Sequence, residues 1–203
     1  MRVFLVRHGQ SVANQQHLVT GDTTDVLSAE GVEQMRRTSE LLNRQGFRFK
    51  HYFTSQWQRA QQSAHIVMPH ASFIADPRLG EAHAGDVAGK ALSEFLETWP
   101  DFYEDHTNRY PGGESHEDLN SRVLQWLQHM RDQCDGDVLA VTHAGPISCI
   151  LQHVLHVPMK HFPALLPRNS SISIVDFPST GAPGSLVAFS WLPESSVPEL
   201  IGL

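Results

Sequence analysis

Four short clusters of reactive side chains punctuate this 203-residue chain: Arg7-His8-Gly9, Ser55 followed by Arg59, Arg78 followed by Glu81, and His143-Ala144-Gly145. Together they offer two imidazoles, two or three guanidiniums and one carboxyl, an inventory that suits a phosphoryl group. Arginine presents a planar donor fork that matches phosphate oxygens, and its charge persists at any relevant pH. A neutral imidazole is a competent nucleophile toward phosphorus. Neighbouring arginines would hold it neutral, because like charge disfavours the imidazolium. A carboxylic acid can protonate a leaving oxygen, which contributes about 10²–10⁴-fold in rate. Gly9 would let backbone approach closely, and Gly145-Pro146 opens a helix whose free N–H groups favour an anion.

Something must bring clusters so far apart in sequence to one place. Each follows an apolar run: residues 3–6, 52–54, 72–75 and 138–141 read as strands. Ligands of an open α/β sheet bind beyond the carboxyl ends of its strands, so parallel strands would deliver all four clusters to one edge. Helices fall between them. Ser28 opens one, with Val32, Met35, Ser39 and Leu42 on one side and Gly46 at its end. Residues 58–67 form another. Ser115 begins a third, with Asp118 as its capping-box partner and Leu119, Val123, Trp126 and Met130 on its apolar face. Pro146 sits in a first turn ahead of a helix over 147–155. Residues 172–177 and 186–191, joined by a Pro/Gly/Ser-rich link, read as an antiparallel pair. This rhythm predicts an α/β three-layer sandwich, with a mostly parallel sheet flanked by helices and an antiparallel edge. One domain is expected over 1–203, with the acidic, aromatic segment 82–113 inserted over the sheet as a cap.

The composition narrows the function classes. With 40% hydrophobic and 18% charged residues, the chain reads as a folded globular protein. A net charge of -7 argues against a nucleic-acid partner, which basic proteins serve better. No apolar run is long enough to span a bilayer, and the first one ends at Arg7, too soon for a secretory segment. Cys134 and Cys149 cannot build a disulfide framework, so a reduced, cytoplasmic setting is expected. Of 13 histidines, His51, His65, His70, His106, His129 and His161 read as surface residues. His153 and His156 could share a helix face but lack a third ligand, and no H-E-x-x-H occurs, so neither metal nor cofactor is expected. No Cys is followed six residues later by Arg, and no P-loop or G-x-S-x-G is present.

Five blocks in one order then resemble a known signature. They are Arg7-His8-Gly9 with Asn14, Gly21, Leu27-Ser28 and Gly31; Ser55-x-x-x-Arg59-Ala60; Glu81; Pro111-Gly112-Gly113-Glu114-Ser115; and Val141-Thr142-His143-Ala144-Gly145. Their order resembles the histidine phosphatase superfamily, the phosphoglycerate-mutase-like proteins, from Arg2 to about Phe177. The resemblance implies that His8 is the nucleophile that becomes phosphohistidine. It implies a phosphate pocket of Arg7, Arg59 and His143, a proton donor at Glu81, and a phosphoryl or substrate contact from the Asn14 amide. Ser55 either caps the next helix or touches phosphate, and Arg78 reads as structural. Trp99, Phe102, Tyr103 and Tyr110 read as packing within the cap, and His83 as a surface residue close to Glu81. After Glu81 the run Gly85-Asp86-Val87-Ala88-Gly89 lacks the aromatic and acidic residues that phosphatases of this kind often show there. The Tyr-containing run and greater length usual in the mutase branch are also missing. The expected function is a phosphomonoesterase acting on a small phosphorylated metabolite through phosphohistidine. The alternatives are a cofactor-dependent phosphoglycerate mutase and a non-catalytic phospho-ligand-binding protein.

Overall fold

Four consecutive apolar residues leave a strand no solvent face, and both such runs, 3–6 and 138–141, are fully buried in the computed structural model, which describes residues 1–178 and 182–193. They form β1 (Arg2–Arg7) and β4 (Val138–Thr142). With β2 (His51–Ser55), β3 (Ile74–Asp76), β5 (Ile172–Asp176) and β6 (Ser185–Trp191) they make a six-stranded sheet of order β3-β2-β4-β1-β5-β6. The first four strands are mutually parallel where they pair, while β5 and β6 form the antiparallel edge. The carboxyl ends of β1 and β4 are adjacent, with Arg7 level with Thr142.

Alternate residues of the central strands feed opposite faces. Val3, Leu5, Val138 and Ala140 pack with Leu119, Val123 and Trp126 of α5 (His116–Gln133) and with Ile147 and Ile150 of α6 (Ala144–Val154). Phe4, Val6, Leu139 and Val141 pack with Met35 and Leu42 of α2 (Ala29–Gln45) and Ala64 and Val67 of α3 (Gln58–Val67). Three layers result. Ser28 caps α2 by accepting from the Gly31 N–H, and Gly46 ends it in the left-handed region at φ 68. Ser115 and Asp118 form a reciprocal capping box at α5. Each such cap is worth about 1 kcal/mol.

Two short helices have no counterpart in the sequence reading: α1 (Val12–Gln15) and α4 (Leu92–Thr98), the latter within 82–113. β3 lies two residues later than 72–75 at its start. It runs into Asp76, whose side chain accepts from the Arg78 N–H and turns the chain. The close approach at Gly9 is made by protein. A Cβ there would lie 2.3 Å from the Gly31 carbonyl oxygen of α2's first turn. The β5–β6 link falls partly on residues outside the described set, as do residues 194–203. Among the described residues no helix is long and apolar enough to cross a membrane.

Candidate active site

His8 leaves the end of β1 with its backbone held on both sides, its N–H donating to Thr142 O at 2.9 Å and its carbonyl accepting from the Ser170 N–H at 3.1 Å. The ring is 2% exposed. Nδ1 lies 2.7 Å from the Gly9 carbonyl, which only accepts, so the neutral ring carries its proton on Nδ1. Nε2 is left with a lone pair, and the Arg59 Nε–H donates to it at 3.1 Å. Burial, then Arg59 and Arg7, hold the His8 pKa well below its ordinary 6.5.

His143 caps α6 from the end of β4, edge-on to His8 at 4.9 Å between ring centroids. Its Nε2 is 2.8 Å from Ser55 Oγ, at the end of β2. That hydroxyl already accepts from the Trp57 N–H, and its proton is free for His143 Nε2. His143 Nδ1 is buried with no hydrogen-bond partner among the described residues and is therefore open to a ligand. Burial and the neighbouring Arg59 also keep this ring neutral.

Arg59 is wholly buried. Besides His8 it donates from Nη1 to Asp22 O (2.8 Å) and from Nη2 to Thr20 O (2.9 Å), and it lies over the Trp57 ring with Asp25 3.6 Å away. Burial lowers its pKa to about 10, so it stays charged at neutral pH. Arg7 donates to Pro167 O at 2.7 Å, and its Nε is buried without a partner.

Glu81 reaches the same edge from the turn after β3. Its carboxylate accepts from the Gly145 N–H (3.0 Å) and the Ala82 N–H (3.1 Å). The Gly145 N–H in the first turn of α6 is therefore already taken by the Glu81 carboxyl group, rather than being part of the free N–H set expected from Gly145-Pro146. Glycine leaves room for this contact: a Cβ on residue 145 would sit 2.0 Å from Glu81 Oε1 and displace it. Arg122, which sequence reasoning passed over, clips this turn in place. It donates to the carbonyls of Arg78, Gly80 and Glu81 and makes two bonds of 2.9 Å to the Glu114 carboxylate. Burial raises the Glu114 pKa, but those bonds outweigh it and leave the group below its ordinary value. Glu114 is thereby a poor proton donor.

A cavity of about 570 Å³ opens beside this cluster, with Arg7, Asn14 and Glu81 on its wall. His8, Arg59 and His143 are packed against one another and stand off the wall. Asn14 has two local duties, accepting from the Ser11 N–H and from Asn169 Nδ2, each at 3.2 Å. Arg78 pairs with Asp76 off the wall, and His83 is exposed, its Nδ1 accepting from the Gly85 N–H. Tyr103 and Tyr110 do more than pack within the 82–113 segment: both line the cavity, joined through their hydroxyls at 3.1 Å. Phe102 and Trp99 keep to packing around Phe95. His116, Phe162 and Leu166 complete the wall. They come from elements distant in sequence, so nothing local marks them. Among the described residues no group of three or more His, Cys, Asp or Glu is placed to hold a metal.

The buried imidazoles dictate a pH effect. A base whose folded pKa lies below the unfolded 6.5 leaves the unfolded state binding more protons as pH falls through that value, so stability is lost on acidification. Thermal melts should decline below about pH 6.5, with a shallower decline in His143→Asn. Identical slopes in the two proteins would remove this cause.

Relatives bear on the same arrangement. The "Probable phosphoglycerate mutase GpmB" of Serratia proteamaculans (strain 568) is 30% identical over 184 residues, 87% of this chain and 85% of that protein. The protein of the same name from Enterobacter sp. (strain 638) is 29% identical across 100% of this chain and 93% of its own. Among solved structures, a mycobacterial glucosyl-3-phosphoglycerate phosphatase in complex with VO3 superposes with a TM-score of 0.82 at 25% identity, covering 93% of this chain and 98% of that one. The α-ribazole phosphatase of Shigella flexneri shares the fold, with a TM-score of 0.85 at 23% identity over 94% and 96% of the two chains. The profile of the histidine phosphatase superfamily (branch 1) matches residues 3–188, and this chain belongs to that family.

Proposed function

We propose that this protein is a phosphomonoesterase that hydrolyses a small phosphorylated metabolite through phospho-His8. The observation that carries the reading is the state of His8: one ring nitrogen is tied to a carbonyl, and the other presents a lone pair among fixed guanidiniums. When a phosphoryl group arrives, Arg59 Nε exchanges His8 for a phosphoryl oxygen, and Arg7 and His143 Nδ1 take others. Nε2 attacks phosphorus, an N–P bond forms, and the P–O bond to the alcohol breaks. Glu81 gives its proton to the departing oxygen. Its carboxylate then takes a proton from water, whose oxygen displaces Nε2 and leaves inorganic phosphate. The proton returns to Glu81, and ester plus water has become alcohol plus phosphate.

A mutase, the activity in the name of the "Probable phosphoglycerate mutase GpmB" relatives, would share this first half and differ in the acceptor. Diluting the phosphoenzyme without acceptor separates the two. The phosphatase releases inorganic phosphate rapidly, whereas a long-lived phosphoenzyme discharged only by phosphoglycerate makes the protein a mutase.

Glu81→Gln should slow alkyl-phosphate turnover by about 10²–10⁴-fold while slowing phosphorylation of His8 by p-nitrophenyl phosphate far less, because an aryl oxide leaves without help. Phosphoenzyme should accumulate. Gly145→Ala, which pushes the Glu81 carboxylate aside, should show the same substrate dependence. Equal losses on alkyl and aryl esters would remove Glu81 as the acid.

A further inference from the structure

The cavity wall says what kind of alcohol can leave. Leu18, Leu92, Tyr103, Tyr110, Phe162 and Leu166 are its large apolar side chains. Leu166 is 56% exposed and Tyr103 40%, so two large apolar side chains stay uncovered at the rim, while Tyr110 and Phe162 are buried beneath them. Arg7 is the only arginine or lysine on the wall among the described residues, and it belongs to the phosphoryl end beside His8. His17 and His116 add imidazoles. Burial holds His116 below its ordinary 6.5, so it faces the cavity uncharged at neutral pH. A second anionic group on the substrate would find no fixed cation on the wall to meet it beyond the phosphoryl end. The acidic residues of the overlying segment, Glu94, Glu97, Asp101, Glu104 and Asp105, are exposed and off the wall.

We infer that the substrate is a phosphomonoester of an uncharged, predominantly apolar alcohol. Its few polar atoms are met by the Tyr103 and Tyr110 hydroxyls and His116. This rests on the phosphatase reading above and names its substrate class. The alcohol leaves with the proton from Glu81, and nothing else in the reaction changes.

Primary alkyl phosphates test it, because their leaving groups are similar in basicity and differ in apolar area. From ethyl through butyl to hexyl phosphate, kcat/KM should climb roughly two- to four-fold per methylene. Hexyl phosphate bearing a terminal carboxylate should fall at least about tenfold below hexyl phosphate itself, the penalty for an unpaired anion. Leu166→Lys, at the exposed rim, should close or reverse that gap. A series that stays flat while phosphate is still released overturns the apolar class and leaves the phosphatase reading standing. No release from any monoester, with no phosphohistidine formed, removes that reading and this inference with it.

Discussion

His8→Ala should lose essentially all turnover, a fall of about 10⁵–10⁶-fold by analogy with deleting a covalent nucleophile elsewhere. The side chain bonds only to the Gly9 carbonyl and Arg59, so the sheet has no stake in it and the variant should remain folded. Quenching the wild type during turnover should trap a phosphoryl group that is labile to acid and stable to base, as a phosphoramidate is. Its position on residue 8 can be read by mass spectrometry under alkaline conditions. Near-normal activity in the alanine variant would end the covalent mechanism. A trapped group on another residue would end it equally.

Arg59→Ala carries the second largest effect. It deletes a preorganised charge from the transferring phosphoryl group, a loss of about 10²–10³ in rate by comparison with oxyanion-donor deletions. It also releases the carbonyls of Thr20 and Asp22, so the loop they belong to loosens and KM rises together with the fall in kcat. Arg59→Lys restores a charge but not the fork that spans three acceptors at once, and should recover only part of the loss. Full recovery by lysine would show that charge alone matters. Because arginines place the positive charge, EDTA should leave the rate unchanged and vanadate should inhibit. Loss on chelation with recovery on adding a divalent ion would contradict the scheme.

Much of the frame was legible from local rules. Runs such as 138–141 have no polar position to turn outward, which forces a strand covered on both faces. Ser28, Gly46 and the Ser115/Asp118 box announce helix ends by chemistry confined to one turn, and the structure places them there. The clusters after β1, β2 and β4 were legible because parallel strands must present their carboxyl ends together. Other features were out of reach. Helix α4 has Ala91 at its N-cap and no side-chain cap, so its sequence carries no start signal. Arg122 looks like any helix arginine until the chain folds and four of its partners converge on it from 78–81 and 114. Gly9 does sit against a close backbone and the first turn of α6 does donate to an acid side chain, but the partners are protein groups: the Gly31 backbone at one, the Glu81 carboxyl at the other. A sequence shows that a position can admit an anion or a close backbone, but not which part of the chain will take it.

The two ends of the cavity are built on unequal foundations. His8, the proposed nucleophile, hangs from β1, which has a strand bonded to it on each side and helices over both faces. Much of the wall facing the alcohol belongs to loops, to single turns and to a helix of seven residues. A substitution in the first region disturbs a core shared by the whole fold; in the second, the exposed Leu166 and Tyr103 can change with little effect on that core, whereas the buried Tyr110 and Phe162 are part of it. Drift and selection can therefore redraw the wall many times over while the reacting atoms stay in register. One scaffold can pass through a succession of alcohols in its lineage without reinventing its treatment of phosphorus.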